Sequence, residues 1–153
     1  SAQVQGLPRL VDLGADKCVP CKMMAPILEE LRTNCAGMLD VEFIAQFLVL
    51  AHAVERRDIR VVGTSDILRR AADAGLLSPA DAEALLAAHR LYTDIIQMQR
   101  ILLPVDLKPD AAPAAVRRRI ATSAGLPDEK QLSAEIEDRA ANVSAIFRRL
   151  LSA

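Results

Sequence analysis

The sequence predicts an all-α fold, a helical bundle of five to six helices. Three observations carry that expectation. Trp is absent and aromatic residues make up 3% of the chain, which is crowded instead with Ala, Leu, Arg and Glu. Those are helix formers, whereas sheets draw on Val, Ile, Tyr, Phe and Trp. Apolar residues recur at helical spacing from about Leu39 to the end, and capping and stopping residues fall between the periodic segments. The 153 residues suit one domain on a prior of roughly 150 residues each. A chain of that length buries about 70% of its unfolded surface, enough for a core without staples.

Charge and hydropathy narrow the function classes. Nineteen basic and 20 acidic side chains leave a formal net charge of −1, so no global basic field invites nucleic acid. A hydrophobic fraction of 52% with 25% charged residues excludes a disordered chain. No apolar run approaches the roughly 20 residues that cross a bilayer. The opening SAQVQGLPR lacks a basic region followed by an apolar stretch. The expectation is a soluble, cytoplasmic protein with no membrane or nucleic-acid partner.

Each helix has its own signals. In LDVEFIAQFLVLAHAVE, Val41, Ile44, Phe47, Leu48 and Ala51 share a face that Phe43 and Leu50 widen. GTSDILRRAADAG follows, with Thr64 or Ser65 as N-cap and Gly75 as the left-handed residue past the end. Ser78-Pro79-Ala80-Asp81 opens a longer helix: Ser78 caps, Pro79 suits the first position and Asp81 completes an S-x-x-[DE] pattern. Its apolar side carries Leu85, Leu86, His89, Tyr92, Ile95 and Ile96, then runs from Gln99 to Leu103 until Pro104 stops it. His89 on that side reads as a hydrogen-bonded core or boundary residue. A proline-rich loop follows, and Pro113 begins a short helix through Ala124 that Gly125 closes. Asp128 caps a last helix with Leu132, Ile136, Ala140, Val143, Phe147 and Leu150 in register. Five helices with short connections pack as a bundle.

The first 35 residues differ. Leu10-Val11-Asp12-Leu13 reads as a short strand, and a later helix carries Met24, Ile27, Leu28 and Leu31 on one face. Between them stands Cys18-Val19-Pro20-Cys21. A thiol at a helix start is stabilised as thiolate, which makes it an attacking nucleophile, and a second thiol one turn along resolves the mixed disulfide. As a staple the pair is poor, because closing so short a loop contributes only about 2 kcal/mol. Spectator thiols remain the plainer alternative. A zinc set of Cys18, Cys21, Cys35 and His52 is disfavoured, since Cys35 and His52 lack ligand spacing.

Residues 9–31 resemble the active-site strand and helix of thioredoxin. That resemblance implies Cys18 as nucleophile, Cys21 as resolving thiol, Asp12 as the carboxylate assisting proton transfer and Pro26 as the helix kink. Lys17, Val19 and Gly14 depart from the family pattern. The remaining strands and the proline loop of that fold have no counterpart after Leu31, so the resemblance is to a fragment.

A second constellation lies in AGMLDVEFIAQFLVL, where Asp40 and Glu42 stand two apart. Paired acidic groups hold Mg²⁺ against a triphosphate in nucleotidyl transfer, although acidic residues near a helix start also serve the dipole. The stretch resembles the GG-[hydrophobic]-x-D-[IV]-E-F-I-x-Q motif of glutamine synthetase adenylyltransferases, with Ala36 in place of the first Gly. The likeness continues through residues 36–153. It implies a parent that transfers AMP from ATP, with Mg²⁺, to a tyrosine of glutamine synthetase, and helical domains that contact that enzyme and a PII-type regulator. The Gly-Ser…Asp-x-Asp arrangement of the active family domains is missing, and only Asp40 and Glu42 match positions tied to the catalytic region.

The resulting expectation divides the chain into 1–35, a thioredoxin-like piece, and 36–153, a helical bundle domain. The whole is a chimera, natural or engineered, without catalytic residues for adenylyl transfer, without a metal and without a cofactor of its own. Two alternatives stand beside it: a thiol–disulfide module using Cys18 and Cys21, and a recombined chain with no activity. The basic groups at Arg56/Arg57, Arg69/Arg70, Arg117–Arg119 and Arg148/Arg149 read as solvated faces, with a partner surface as the alternative.

Overall fold

The computed structural model describes residues 36–104, 107 and 109–151. These form five α-helices: α1 (Ala36–His52), α2 (Thr64–Asp73), α3 (Pro79–Leu102), α4 (Ala114–Ser123) and α5 (Glu129–Leu151). Single 3₁₀ turns stand at Arg57–Ile59 and Pro109–Ala111. The expected strand at 10–13, and the expectations for Asp12, Cys18, Cys21, Pro26 and Cys35, lie outside the described residues. No helix among the described residues is long and apolar enough to cross a membrane.

α3 is the spine. Its 24 residues span about 36 Å at 1.5 Å per residue. Ser78 Oγ accepts from the Asp81 N–H at 3.1 Å, and Pro79 takes a first-turn position where a missing N–H removes no helical bond. Leu85 and Ala88 of α3 are fully buried together with Val41, Ile44 and Leu48 of α1, Leu68 and Ala71 of α2, and Val143 and Ile146 of α5. Farther along α3, Leu91 and Ile95 make a second cluster with Ile120 and Ala121 of α4 and Leu132 of α5. Ile136 packs against both clusters. The two long helices thus run through both halves of the core, and the shorter ones each close one half.

Chain reversal follows the glycines. Gly75 and Gly125 adopt φ of +73° and +79°, conformations that cost a residue with a Cβ. After α2 the Leu76 N–H donates to Ala71 O and the Gly75 N–H to Ala72 O, both at 2.9 Å. After α4 the Leu126 and Gly125 N–H groups donate to Ala121 O and Thr122 O at 2.9 and 3.1 Å. Both pairs occupy carbonyls that the helix ends leave open. Asp128 starts α5 as the sequence predicts, its Oδ1 accepting from the Gln131 N–H at 2.8 Å.

Three local expectations are corrected. Neither Thr64 nor Ser65 caps α2; Gly63 occupies that position at φ +102° and no side-chain bond is made. Ser65 faces α3 instead, its Oγ 3.3 Å from His89 Nδ1. Pro113 is the N-cap of α4 rather than its first residue. The outer residues of α1 are also different: Phe43 and Leu50 do not widen the core face but stand 44% and 82% exposed. The buried set Val41, Ile44, Ala45 and Leu48 follows i, i+3, i+4, i+7, and the 3.6-residue turn puts Phe43 and Leu50 on the other side of the helix from that stripe.

Leu85→Ala removes a fully buried side chain that shares a cluster with three other helices. Urea unfolding should show a loss of about 2–5 kcal/mol. A loss below 1 kcal/mol would place the weight of the core elsewhere.

Candidate functional site

Of the two residues singled out by the acidic motif, Asp40 alone lies where α1, α3 and α5 meet. Gly37 lies in the first turn of α1, and the Tyr92 ring of α3 rests directly on it. A Cβ at position 37 would fall 2.5 Å from Tyr92 Cζ and 2.9 Å from Cε2, and closer still to the hydroxyl. Only a hydrogen fits there. Tyr92 is 6% exposed, and its buried hydroxyl has no hydrogen-bond partner among the described residues.

Asp40 stands one turn along α1 from Gly37 and is half-buried. Burial pushes its carboxyl above the ordinary carboxylate range. The Tyr92 phenol is also raised, chiefly by burial and further by the nearby Asp40 carboxylate, with the Arg139 guanidinium opposing the rise. Arg139 belongs to α5, where its Nη2 pairs with Glu135 Oε1 of the same helix at 2.7 Å. A carboxyl, a phenol and a guanidinium from three helices therefore share one junction.

Glu42 is not part of it. Two residues along an α-helix turn the side chain by about 200°, so positions i and i+2 do not face each other. The pair cannot converge on one ion, and a magnesium site needs further oxygen ligands. Among the described residues no group of three or more His, Cys, Asp or Glu is placed to hold a metal. Asp40 and Glu42 alone do not fit the Mg²⁺ implied by the motif.

Gly37, Tyr92 and Arg139 were missing from the sequence-derived site. Two signals were present. Glycine within a helix costs about 0.5–1 kcal/mol relative to alanine, which marks a close approach, and Tyr92 is the only tyrosine in the chain.

Several other polar residues have structural partners. His89 is half-buried and contacts Ser65, as a boundary residue should; His52 closes α1. The basic groups are largely anchored at the surface: Arg56 to Asp58 at 3.0 Å, Arg69 to Asp66 at 2.9 Å, Arg117 to Glu129 at 2.8 Å and Arg149 to Asp81 at 2.6 Å. Arg56 also donates to Ala74 O at the end of α2. A shallow groove of about 580 Å³ runs between α2 and α3 beside Arg69, Leu86 and Arg90.

Comparison with known proteins gives the family. The family model described as GlnD PII-uridylyltransferase matches residues 28–151, and the chain belongs to that family. It is 40% identical over 121 residues to a bifunctional glutamine synthetase adenylyltransferase/adenylyl-removing enzyme of Xanthobacter autotrophicus, covering 79% of this chain and 12% of the relative. Enzymes of the same description from Bradyrhizobium diazoefficiens and Rhodopseudomonas palustris are each 38% identical over 122 residues, again covering 80% of this chain and 12% of the relative. The chain thus spans about an eighth of the length of the curated relatives it matches. No solved structure matches it.

Two substitutions test the junction. Gly37→Ala forces a methyl group into the Tyr92 ring and should cost about 1–3 kcal/mol of unfolding free energy. Tyr92→Phe removes an unpartnered buried hydroxyl, so denaturation should show unchanged or greater stability; a clear loss would reveal a partner for that oxygen.

The raised Asp40 carboxyl fixes a sign as well. A group whose folded pKa lies above its unfolded value favours the fold while protonated, and that contribution is lost as pH rises through the folded pKa. Asp40→Asn should therefore raise the melting temperature at neutral pH, with the gain vanishing below the ordinary carboxylate range. A lower melting temperature at pH 7 would show that the ionised carboxylate is held by a favourable contact.

Proposed function

We propose that this chain is a non-catalytic helical module of a glutamine synthetase adenylyltransferase-like protein, acting by contact with glutamine synthetase or with a PII-type regulator. The observation that carries the reading is the coincidence of two limits. The likeness to the adenylyltransferases covers 12% of their length, and the same residues build a five-helix unit that closes its own core. A fragment with a complete core and a single pair of motif carboxylates is suited to presenting a surface, not to aligning a triphosphate.

In this reading the helical module comprises residues 36–153 and residues 1–35 form a separate N-terminal piece, although the family match begins earlier, at residue 28. ATP and Mg²⁺ belong to the parent enzyme's chemistry, and this chain uses neither. Asp40 then serves α1's placement on α3 and α5 rather than a metal. The exposed members of the arginine groups, such as Arg57, Arg70, Arg118 and Arg119, are available to an acidic partner surface.

The test has two arms. With labelled ATP and Mg²⁺, the chain should leave glutamine synthetase unlabelled; label transfer would end the non-catalytic reading. In calorimetry against glutamine synthetase and against a PII-type protein, one of the two should bind, and heat from neither would end the partner-contact reading.

A further inference from the structure

The groove between α2 and α3 holds charges that the chain leaves unmatched. Arg69, Asp73, Glu83 and Arg90 border its main part, and a smaller hollow of about 250 Å³ continues past Arg90 to Ser65 and Asp94. At four other places a basic side chain meets an acidic one of the same chain: Arg56 with Asp58, Arg117 with Glu129, Arg139 with Glu135 and Arg149 with Asp81. In the groove Asp73, Glu83 and Arg90 are exposed and make no side-chain hydrogen bond or ion pair among the described residues. Arg69 pairs only with Asp66 of its own helix, an exposed contact that holds it weakly. Asp73 is also the last residue of α2, where the helix dipole disfavours a carboxylate. The two signs are sorted along the groove. Residues 74–78 join α2 to α3, and Ser65 near the start of α2 meets His89 of α3, so the two helices run antiparallel. Asp73 and Glu83 therefore stand toward the connecting end, with Arg69 about 6 Å and Arg90 about 10 Å farther from it along their helices.

We propose that this groove is the interface for a second copy of the same chain, related to the first by a two-fold axis. The argument is one of charge order, and it stands apart from the proposed contact with glutamine synthetase or a PII-type regulator. In a two-fold contact each pair of facing residues occurs twice. An axis across the groove near Leu86 turns the acidic end of one copy, Asp73 and Glu83, over the Arg69 and Arg90 of the other, and the reverse. All four charges then meet opposite ones. Asp94, one turn beyond Arg90, comes to the Pro79 end of the second copy's α3, where a helix start favours a carboxylate. Between the charged ends the lining is Leu86 with Ala72 and Ala87, short enough for two helix pairs to approach. The order of signs decides for a second copy over a uniformly acidic or basic partner, since either of those meets like charge at one end of the groove.

The experiment is sedimentation equilibrium on the full chain, with a reductant present so that no disulfide links two copies. At about 0.1 mM, far above a micromolar Kd, the unaltered chain should sediment as a dimer. Two variants then change the groove. Asp73→Arg with Glu83→Arg makes it wholly basic, and Arg69→Glu with Arg90→Glu makes it acidic. All four positions are exposed, so circular dichroism should show unchanged helix content. Each variant by itself should dimerise at least about tenfold more weakly, because like charges now face each other. Mixed in equal amounts, the two should restore the dimer as a pair of unlike chains. An unaltered chain that stays monomeric at this concentration would overturn the proposal and leave the module reading untouched. So would variants that dimerise as tightly as the unaltered chain, which would put the contact on another face, or a mixture that remains monomeric.

Discussion

The fold depends on the length of α3. A bundle of short helices needs one element that reaches every part of the core, since each short helix alone buries too little to persist. The 24 residues of α3 meet α1, α2 and α5 in one cluster and α4 and α5 in the other. Its two ends are chemically defined by Ser78 and Pro79 at the start and Pro104 beyond the finish. Arg149 ties the last turn of α5 back to Asp81 in the first turn of α3. That bond is exposed and contributes little energy, but it records how closely the two long helices align end to end.

The second constraint is steric. α1 reaches its position because Gly37 has no side chain where the Tyr92 ring lies. The close approach also draws Asp40 into a partly dry setting beside a phenol and a guanidinium. An ionised carboxylate is disfavoured there, and an unpartnered hydroxyl is disfavoured as well. Both are conflicts between local chemistry and packing, and such conflicts gather at functional sites. In this chain they coincide with the stretch that resembles the adenylyltransferase motif, which joins the packing and the family likeness at one helix.

A chain matched over an eighth of its relatives' length yet closed around its own core is a module in the physical sense. The charged residues reinforce that description, because most of the arginine groups are paired across turns and helix ends, as with Arg56 to Asp58 and Arg117 to Glu129. α1 leaves Phe43 and Leu50 uncovered, whereas α2 leaves Asp66, Arg69 and Arg70 uncovered. Those two kinds of surface ask for different neighbours.

The helices of residues 36–151 were legible in the sequence because their ends are written in local chemistry. Ser78 and Asp128 hydrogen-bond to N–H groups three residues on, and Gly75 and Gly125 supply the left-handed turns; each depends on neighbours a few residues away. The start of α2 was misread because Thr64 and Ser65 had the right chemistry for a cap, while Ser65 was claimed by His89, 24 residues on. The apolar letters of α1 marked the buried stripe of Val41, Ile44 and Leu48 but not how far burial would spread around the helix, since Phe43 and Leu50 are as hydrophobic as Ile44 and Leu48. That choice fell to the faces offered by α2, α3 and α5. The nearness of Gly37, Asp40, Tyr92 and Arg139 likewise exists only once three helices cross, for contacts between distant residues are set by how the elements pack and not by any residue's own preference.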